Sequence, residues 1–422
     1  MKLPKVLRVR QNYAIGPQVD IRSTVEAQML RFAGQIRQSD RIAVGVGSRG
    51  ITNLPLIVTS VLDELHRYGA RPFLFPAMGS HGGATSQGQR EVLATYGITE
   101  SSMRVPILDS MEVIQVAVSS DGVPAYCSTD ARASDGILLI NRIKPHTDFF
   151  GTLGSGLTKM CVVGLGKRTG ATAMHLAAMQ YGYERVIRNL AKVVIQNAPV
   201  LGGIALVENQ FHDTAKIEAV RVDEIESVEN QLLVEAKLLM PRLPFEELDL
   251  LIVDQIGKNI SGAGMDPNVI NRSIHGYDSL PARGDRPAPF IRRIFVRNLT
   301  SKTQGNAIGI GMADAVTTRL VESMDTHATN INALTALTPQ SAKIPIAFQT
   351  DREAIERLLA SLPISAVSDA KVVRVLDTLS VAKMEISEAL WNKNHATGQL
   401  IALSELSELN FDTDGNLTLC PD

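Results

Sequence analysis

Residues 41 to 78 hold the feature that most restricts the fold. Arg41 to Val46, RIAVGV, is a short β-branched run that ends in glycine and serine, the pattern of a strand buried on both faces. Asn53 to Tyr68 follows with apolar residues at 54, 57, 58, 61, 62 and 65, a helical spacing, and Gly69 supplies a stop. ARPFLFPAM is the next strand. Such a strand, helix and strand in succession pair the two strands in parallel, because the helix carries the chain back along the sheet. The chain is therefore expected to be α/β with mainly parallel sheets.

At 422 residues it exceeds one core, and two α/β domains are the expectation. The helical stretch Val222 to Met240 is broken by Pro241, Pro244 and Glu246-Glu247. This divides the chain into an N-terminal domain, 1–245, for cofactor binding and catalysis, and a C-terminal domain, 246–422. The tail from Val372 to Asp422 is in a position to pack back on either domain, the first included, and the active site is expected in the cleft between the two. Within the first domain the pattern predicts a helix over Ser86 to Tyr96, a hairpin turn at Asp121-Gly122, a strand over Gly136 to Ile140, a helix from about Ala171 to Asn197 and a strand over Gly203 to Val207. In the second it predicts strands over Leu248 to Val253, Arg293 to Val296, Ala307 to Ile310 and Ile344 to Phe348, and a helix over Asp351 to Leu359.

Composition narrows the partner. A formal net charge of -2 disfavours a nucleic acid bound by phosphate neutralisation, which leaves a small molecule. Cys127, Cys161 and Cys420 lack metal or redox spacing and read as reduced thiols. No apolar run approaches the roughly 18 residues of a membrane span, and the basic N-terminus has no apolar leader core, so a cytoplasmic, soluble protein is expected.

The chemistry-bearing residues concentrate in Asn141 to His175, where six glycines at 151, 154, 156, 164, 166 and 170 are interleaved with His146, Lys159, Lys167 and His175. Glycine lets backbone approach a ligand closely. His146 follows one strand and His81, in Gly79-Ser80-His81-Gly82-Gly83, follows another, the strand ends at which open α/β sheets place ligands. Two such imidazoles could work as acid and base on opposite faces of one carbon. Lys159, closing the first glycine run, suits a covalent or anion-binding role, since a desolvated amine is nucleophilic. Lys167, beside Arg168, reads as a solvated loop lysine. His175 could ligate a borderline metal, but one histidine is too little for a protein-only cage, so the metal would need ligands from another group. Gly45-Val46-Gly47-Ser48-Arg49-Gly50 matches a dinucleotide fingerprint, yet the next strand ends Phe75-Pro76-Ala77-Met78 without the acidic residue that would hold a ribose. Its Arg49 is a natural clamp for a carboxylate. Gln255 and Lys258 follow the first strand of the second domain.

These residues, in this order, resemble the nickel-pincer lactate racemase family: Ser48-Arg49-Gly50, the Gly79-Ser80-His81-Gly82 turn, Lys144-Pro145-His146, Lys159, His175 sixteen positions on, and Gln255-x-x-Lys258. The resemblance implies a nickel-pincer nucleotide, a pyridinium mononucleotide with two thio-groups, joined covalently to Lys159, with His175 as the protein ligand to nickel. It further implies His81 and His146 as acid-base pair, and Arg49, Gln255 and Lys258 as substrate contacts. The activity implied is racemisation or epimerisation of a 2-hydroxy acid by reversible hydride transfer, an isomerase that depends on cofactor-biosynthesis proteins. Here the loop between His146 and Lys159 is Thr147 to Thr158, no basic residue precedes Lys159, and glycine follows His81, features of a divergent branch for which a sugar acid is as fitting as lactate. The competing expectations are a NAD-dependent oxidoreductase of a hydroxy acid and a catalytically silent ligand-binding relative.

Overall fold

The first strand, β1 (Val6–Gln11), lies far in sequence from its partners, in a sheet otherwise built by residues beyond 246. The computed structural model that shows this describes residues 2–13, 16, 19–47, 50–147, 149, 151–275 and 289–418. It divides into two compact units, 16–240 and 1–15 with 241–422. The first fifteen residues therefore do not belong with the N-terminal domain assigned to them from sequence. Val6, Leu7 and Val9 are buried, and β1 satisfies its backbone against strands more than 370 residues away.

The unit 16–240 is a doubly wound α/β domain. Its strands are β2 (Arg41–Val46), β3 (Arg71–Pro76), the antiparallel hairpin β4 (Val113–Val118) and β5 (Pro124–Ser128), β6 (Gly136–Arg142), β7 (Val200–Glu208) and β8 (Thr214–Arg221). Gly122, at φ +75°, makes the hairpin turn where the sequence places it. The main sheet has the order β3-β2-β6-β7-β8, parallel except for β8 at its edge. Alternation along the strands fills two cores. Ile42, Val44, Leu138 and Ile140 face the helices Ile21–Met29 and Leu54–Arg67, whereas Ala43, Phe75, Ile137 and Leu139 face the helices Lys167–Tyr181 and Tyr183–Asn197. Strand order reverses between β2 and β6, so the loops at the carboxyl ends of these two strands form the switch point at which such sheets bind ligands. Those loops are the stretch after Val46 and the stretch that carries His146.

The single helix expected over 171–197 is two helices, because Gly182 sits at φ +83° and turns the chain between Tyr181 and Tyr183. Gly45 is also placed differently from a fingerprint glycine. It lies inside β2, where a Cβ would stand 2.7 Å from Phe75 Cζ and 2.8 Å from Leu139 Cδ2, and the following helix begins only at Leu54. Its glycine serves sheet packing, which weighs against the dinucleotide reading.

The other unit is built on one eight-stranded sheet. β9 (Glu247–Ile256), β10 (Phe290–Leu299), β11 (Ala315–Thr317), β12 (Ile346–Phe348) and β13 (Val372–Val375) are parallel, and β14 (Lys383–Ser387), β1 and β15 (Leu400–Ala402) continue it antiparallel in the order β12-β11-β10-β9-β13-β14-β1-β15. The tail thus pairs within its own unit. The strand expected over Ala307 to Ile310 is instead a turn at Gly309, φ +92°, followed by a short 3-10 helix, and the strand begins at Ala315.

Candidate functional site

The site grows from the end of β6. Lys144 and Ser155 bridge in antiparallel fashion, so by Ser155 the chain is back beside the strand it left. Gly154 allows the return, since a Cβ there would lie 2.2 Å from Lys144 O. Side chains tie down Gly151 and Thr152: Thr152 Oγ1 donates to Glu184 at 2.7 Å, Arg188 donates to Thr152 Oγ1 at 2.9 Å, and Lys237 Nζ donates to Gly151 O at 2.9 Å. His146 is buried, 7% exposed.

A turn over Leu157–Lys159 then passes into a π-helical turn, Met160–Gly164, closed by Leu165 N–H donating to Met160 O at 2.9 Å. Such turns often mark functional sites because they displace one side chain from the helical register. The start of the turn is held by Glu229, which is buried and accepts from Thr158 N and Thr158 Oγ1, both at 2.8 Å. Burial pushes its carboxyl up to about 7, against the lowering effect of those hydrogen bonds. Sequence reasoning passed over Glu229. Its signal was present: with Ile225, Leu232, Leu233 and Ala236 it shares the buried stripe of the helix Ile225–Leu239, an apolar face on which a carboxylate is costly without partners.

Three of the sequence-derived candidates come together here. Lys159 Nζ is hydrogen-bonded to His146 Nε2. The His146 ring stacks on Phe149 with centroids 4.3 Å apart and planes at 20°, Phe149 stacks on Tyr183 at 5.3 Å, and His175 meets Tyr183 edge-on at 5.9 Å. The break at Gly182 is what brings Tyr183 back over this cluster. His81 extends the same sheet edge: it follows β3, with an exposed side chain, in a turn held by Gln89 Nε2 on Gly79 O at 2.9 Å and His81 O at 3.2 Å. That turn rests on the π-helical segment, since a Cβ on Gly79, φ +61°, would lie 2.5 Å from Val163 Cγ1. Arg49 lies outside the described residues. Gln255 and Lys258 belong to the other unit, where Gln255 is half-buried at the end of β9 and exposed Lys258 donates to Asn332 Oδ1 at 2.7 Å.

Lys167 is not a solvated loop lysine. It is fully buried, donates to Pro76 O at 2.7 Å and lies 5.6 Å from the Phe75 ring centroid, so it fastens the start of the helix to the strand that leads to His81. Burial lowers its amine from 10.5 to about 8. The cost of burying the charged amine is present in full below about 8, and because the unfolded chain binds more protons between about 8 and 10.5, stability rises with pH over that range. At about 1.4 kcal/mol per pH unit the gain is roughly 3 kcal/mol. Lys167→Met is expected to remove that rise, which urea titrations across this pH range would measure; an unchanged slope would contradict the assignment.

Among the described residues no three His, Cys, Asp or Glu side chains are grouped to hold an ion, so a metal at His175 would need its other ligands from a bound molecule. A half-buried amine in the same cluster is suited to attach such a molecule. Also among the described residues, no helix is long and apolar enough to cross a membrane.

Neither a family model nor a curated protein sequence matches the chain. Solved structures do. The lactate racemase apoprotein from Thermoanaerobacterium thermosaccharolyticum is similar with a TM-score of 0.56 and 13% identity over 89% of this chain and 99% of that one. A Thermotoga maritima protein is similar with a TM-score of 0.52 and 13% identity over 81% and 86%. The class thereby defined is one of fold: two α/β units of the kind found in lactate racemase.

Proposed function

We propose that the chain is a racemase or epimerase of a 2-hydroxy acid that works with a nickel-pincer nucleotide tethered to Lys159. The observation that supports this most is the convergence of His146, Lys159 and His175 on one aromatic stack at the switch point of the sheet. A fold similar to that of a lactate racemase agrees with it.

In this reading Lys159 holds the nucleotide and His175 supplies the protein ligand to nickel. When bound, the cofactor supplies a hydride acceptor. Everything else falls to side chains of the chain. Inversion at Cα needs the hydroxyl proton removed on one face and returned on the other, and His146 and His81 are the groups proposed for this. His146 is held in one orientation by Phe149, which spares the transition state the entropy of aligning the base. Arg49, Gln255 and Lys258 are assigned to the carboxylate and the developing oxyanion by resemblance alone. The divergent loop from Thr147 to Thr158 leaves a sugar acid as fitting a substrate as lactate.

The test is chiral product analysis over a panel of 2-hydroxy acids, using protein produced together with cofactor-assembly proteins. Equilibration of at least one acid from either enantiomer, without added nicotinamide, is expected. Oxidation to the keto acid that requires added NAD would replace this reading with the dehydrogenase.

A further inference from the structure

We propose that His146 is the general base that makes Lys159 an acylation site, so that this amine takes an acyl group from an activated carboxylic-acid derivative in preference to the exposed lysines of the chain. The inference rests on the proposed function for the identity of the acyl group, but not for the chemistry of the amine.

An ordinary lysine is a poor nucleophile near neutral pH, where roughly one amine in 10³ is unprotonated. Lys159 differs in its surroundings. Its Nζ meets His146 Nε2 directly, and the imidazole is buried, with one face covered by Phe149. The backbone that carries Lys159 is fixed one residue earlier, where Glu229 takes both the amide and the hydroxyl of Thr158 at 2.8 Å. Nucleophile and base are therefore each held by separate contacts, the arrangement on which nucleophilic catalysis depends. Lys167, the other lysine flanking the apolar MCVVGLG segment, is fully enclosed and committed to Pro76 O. Lys159 is only half-buried.

In the step itself the Nζ lone pair forms a bond to the acyl carbon. The bond from that carbon to its leaving group, a thiolate or an adenylate phosphate, breaks, and the leaving group departs with the electron pair. The proton from Nζ passes to His146 Nε2 and thence to solvent. An acylated nitrogen is no longer basic, so in the product His146 Nε2 faces an amide in place of an amine. His146 thus serves in sequence, first in attachment and afterwards in the proton transfer proposed above.

The experiment uses the chain purified from a host without cofactor-assembly proteins and p-nitrophenyl acetate as the acyl donor. Acetylation of each lysine is followed by peptide mass mapping, with exposed Lys302 and Lys343 as internal references. Lys159 is expected to react at least about a hundredfold faster than the references, the low end of what general-base assistance contributes. His146→Gln is expected to bring it to their rate or below without altering theirs. In His146→Gly, added imidazole is expected to restore the reaction, which a merely structural role of the ring would not allow. Lys159 reacting no faster than the references, His146→Gln leaving its advantage intact, or no rescue in a His146→Gly chain that still unfolds cooperatively would each overturn the inference. The two readings fail separately. A chain that acetylates in this pattern yet racemises nothing contradicts the function alone, and a cofactor adduct that forms equally well in His146→Gln contradicts only this inference.

Discussion

Lys159→Arg is expected to lose the cofactor adduct and, with it, racemisation by at least about 10³-fold, the scale on which removal of an essential catalytic group is felt. Arginine keeps the positive charge and can still reach toward His146, so the substitution isolates covalent attachment from electrostatics. Its guanidinium stays protonated and does not acylate. The fold is expected to tolerate it, because Lys159 is half-buried at the rim of the turn and the local anchor is Thr158 on Glu229. Chiral chromatography read beside the intact mass checks both halves. Retention of more than a tenth of the activity would remove Lys159 from the proposed role.

The second large effect lies in the other unit and concerns stability. Asp254, fully buried on β9, takes Arg374 bidentately at 2.9 and 2.7 Å and lies 2.9 Å from Arg297. Arg297 in turn donates to Asp351 at 2.8 Å, and Arg374 to Glu385 at 2.9 Å. The same two guanidiniums donate to Leu417 O and Thr418 O, so the network also clasps the end of the described chain. Asp254→Ala would leave two buried guanidiniums short of a carboxylate. Removing one partner of such a pair costs about 3–5 kcal/mol, far more than the net worth of the pair. Denaturant unfolding of the variant is expected to show a loss on that scale, and a change below about 1 kcal/mol would mean that the site relaxes by admitting water. Because Asp254 precedes Gln255 on β9, the network also fixes the strand end from which Gln255 and Lys258 emerge.

Much of this was legible in the sequence, for identifiable reasons. The run from β2 to β3 was readable because its periodicities are local, and so were the helix after Thr85 and the hairpin at Gly122. What escaped was mostly non-local. Nothing in Val6–Gln11 announces pairing with Lys383–Ser387, since strand partners so distant leave no trace in spacing. Gly182 breaks a helix whose apolar pattern runs on, and Gly45 looks like a phosphate turn until Phe75 and Leu139 are seen packed against it. Lys167 is the clearest case: beside Arg168 its type suggested solvent, whereas the carbonyl of Pro76 and the ring of Phe75 enclose it. Of the candidate site, the residue types of His146, Lys159 and His175 pointed to one cluster, but the link through Phe149 and Tyr183 and the anchor at Glu229 became visible only in three dimensions.

The central claim is that Lys159 carries a cofactor from which nickel takes its other ligands. Mass spectrometry of the Lys159 peptide, from protein produced together with cofactor-assembly proteins, tests it most directly. The account predicts a covalent pyridinium mononucleotide adduct on that lysine alone, absent when the assembly proteins are omitted. An unmodified Lys159 in a chain that turns over a hydroxy acid with added NAD would contradict it.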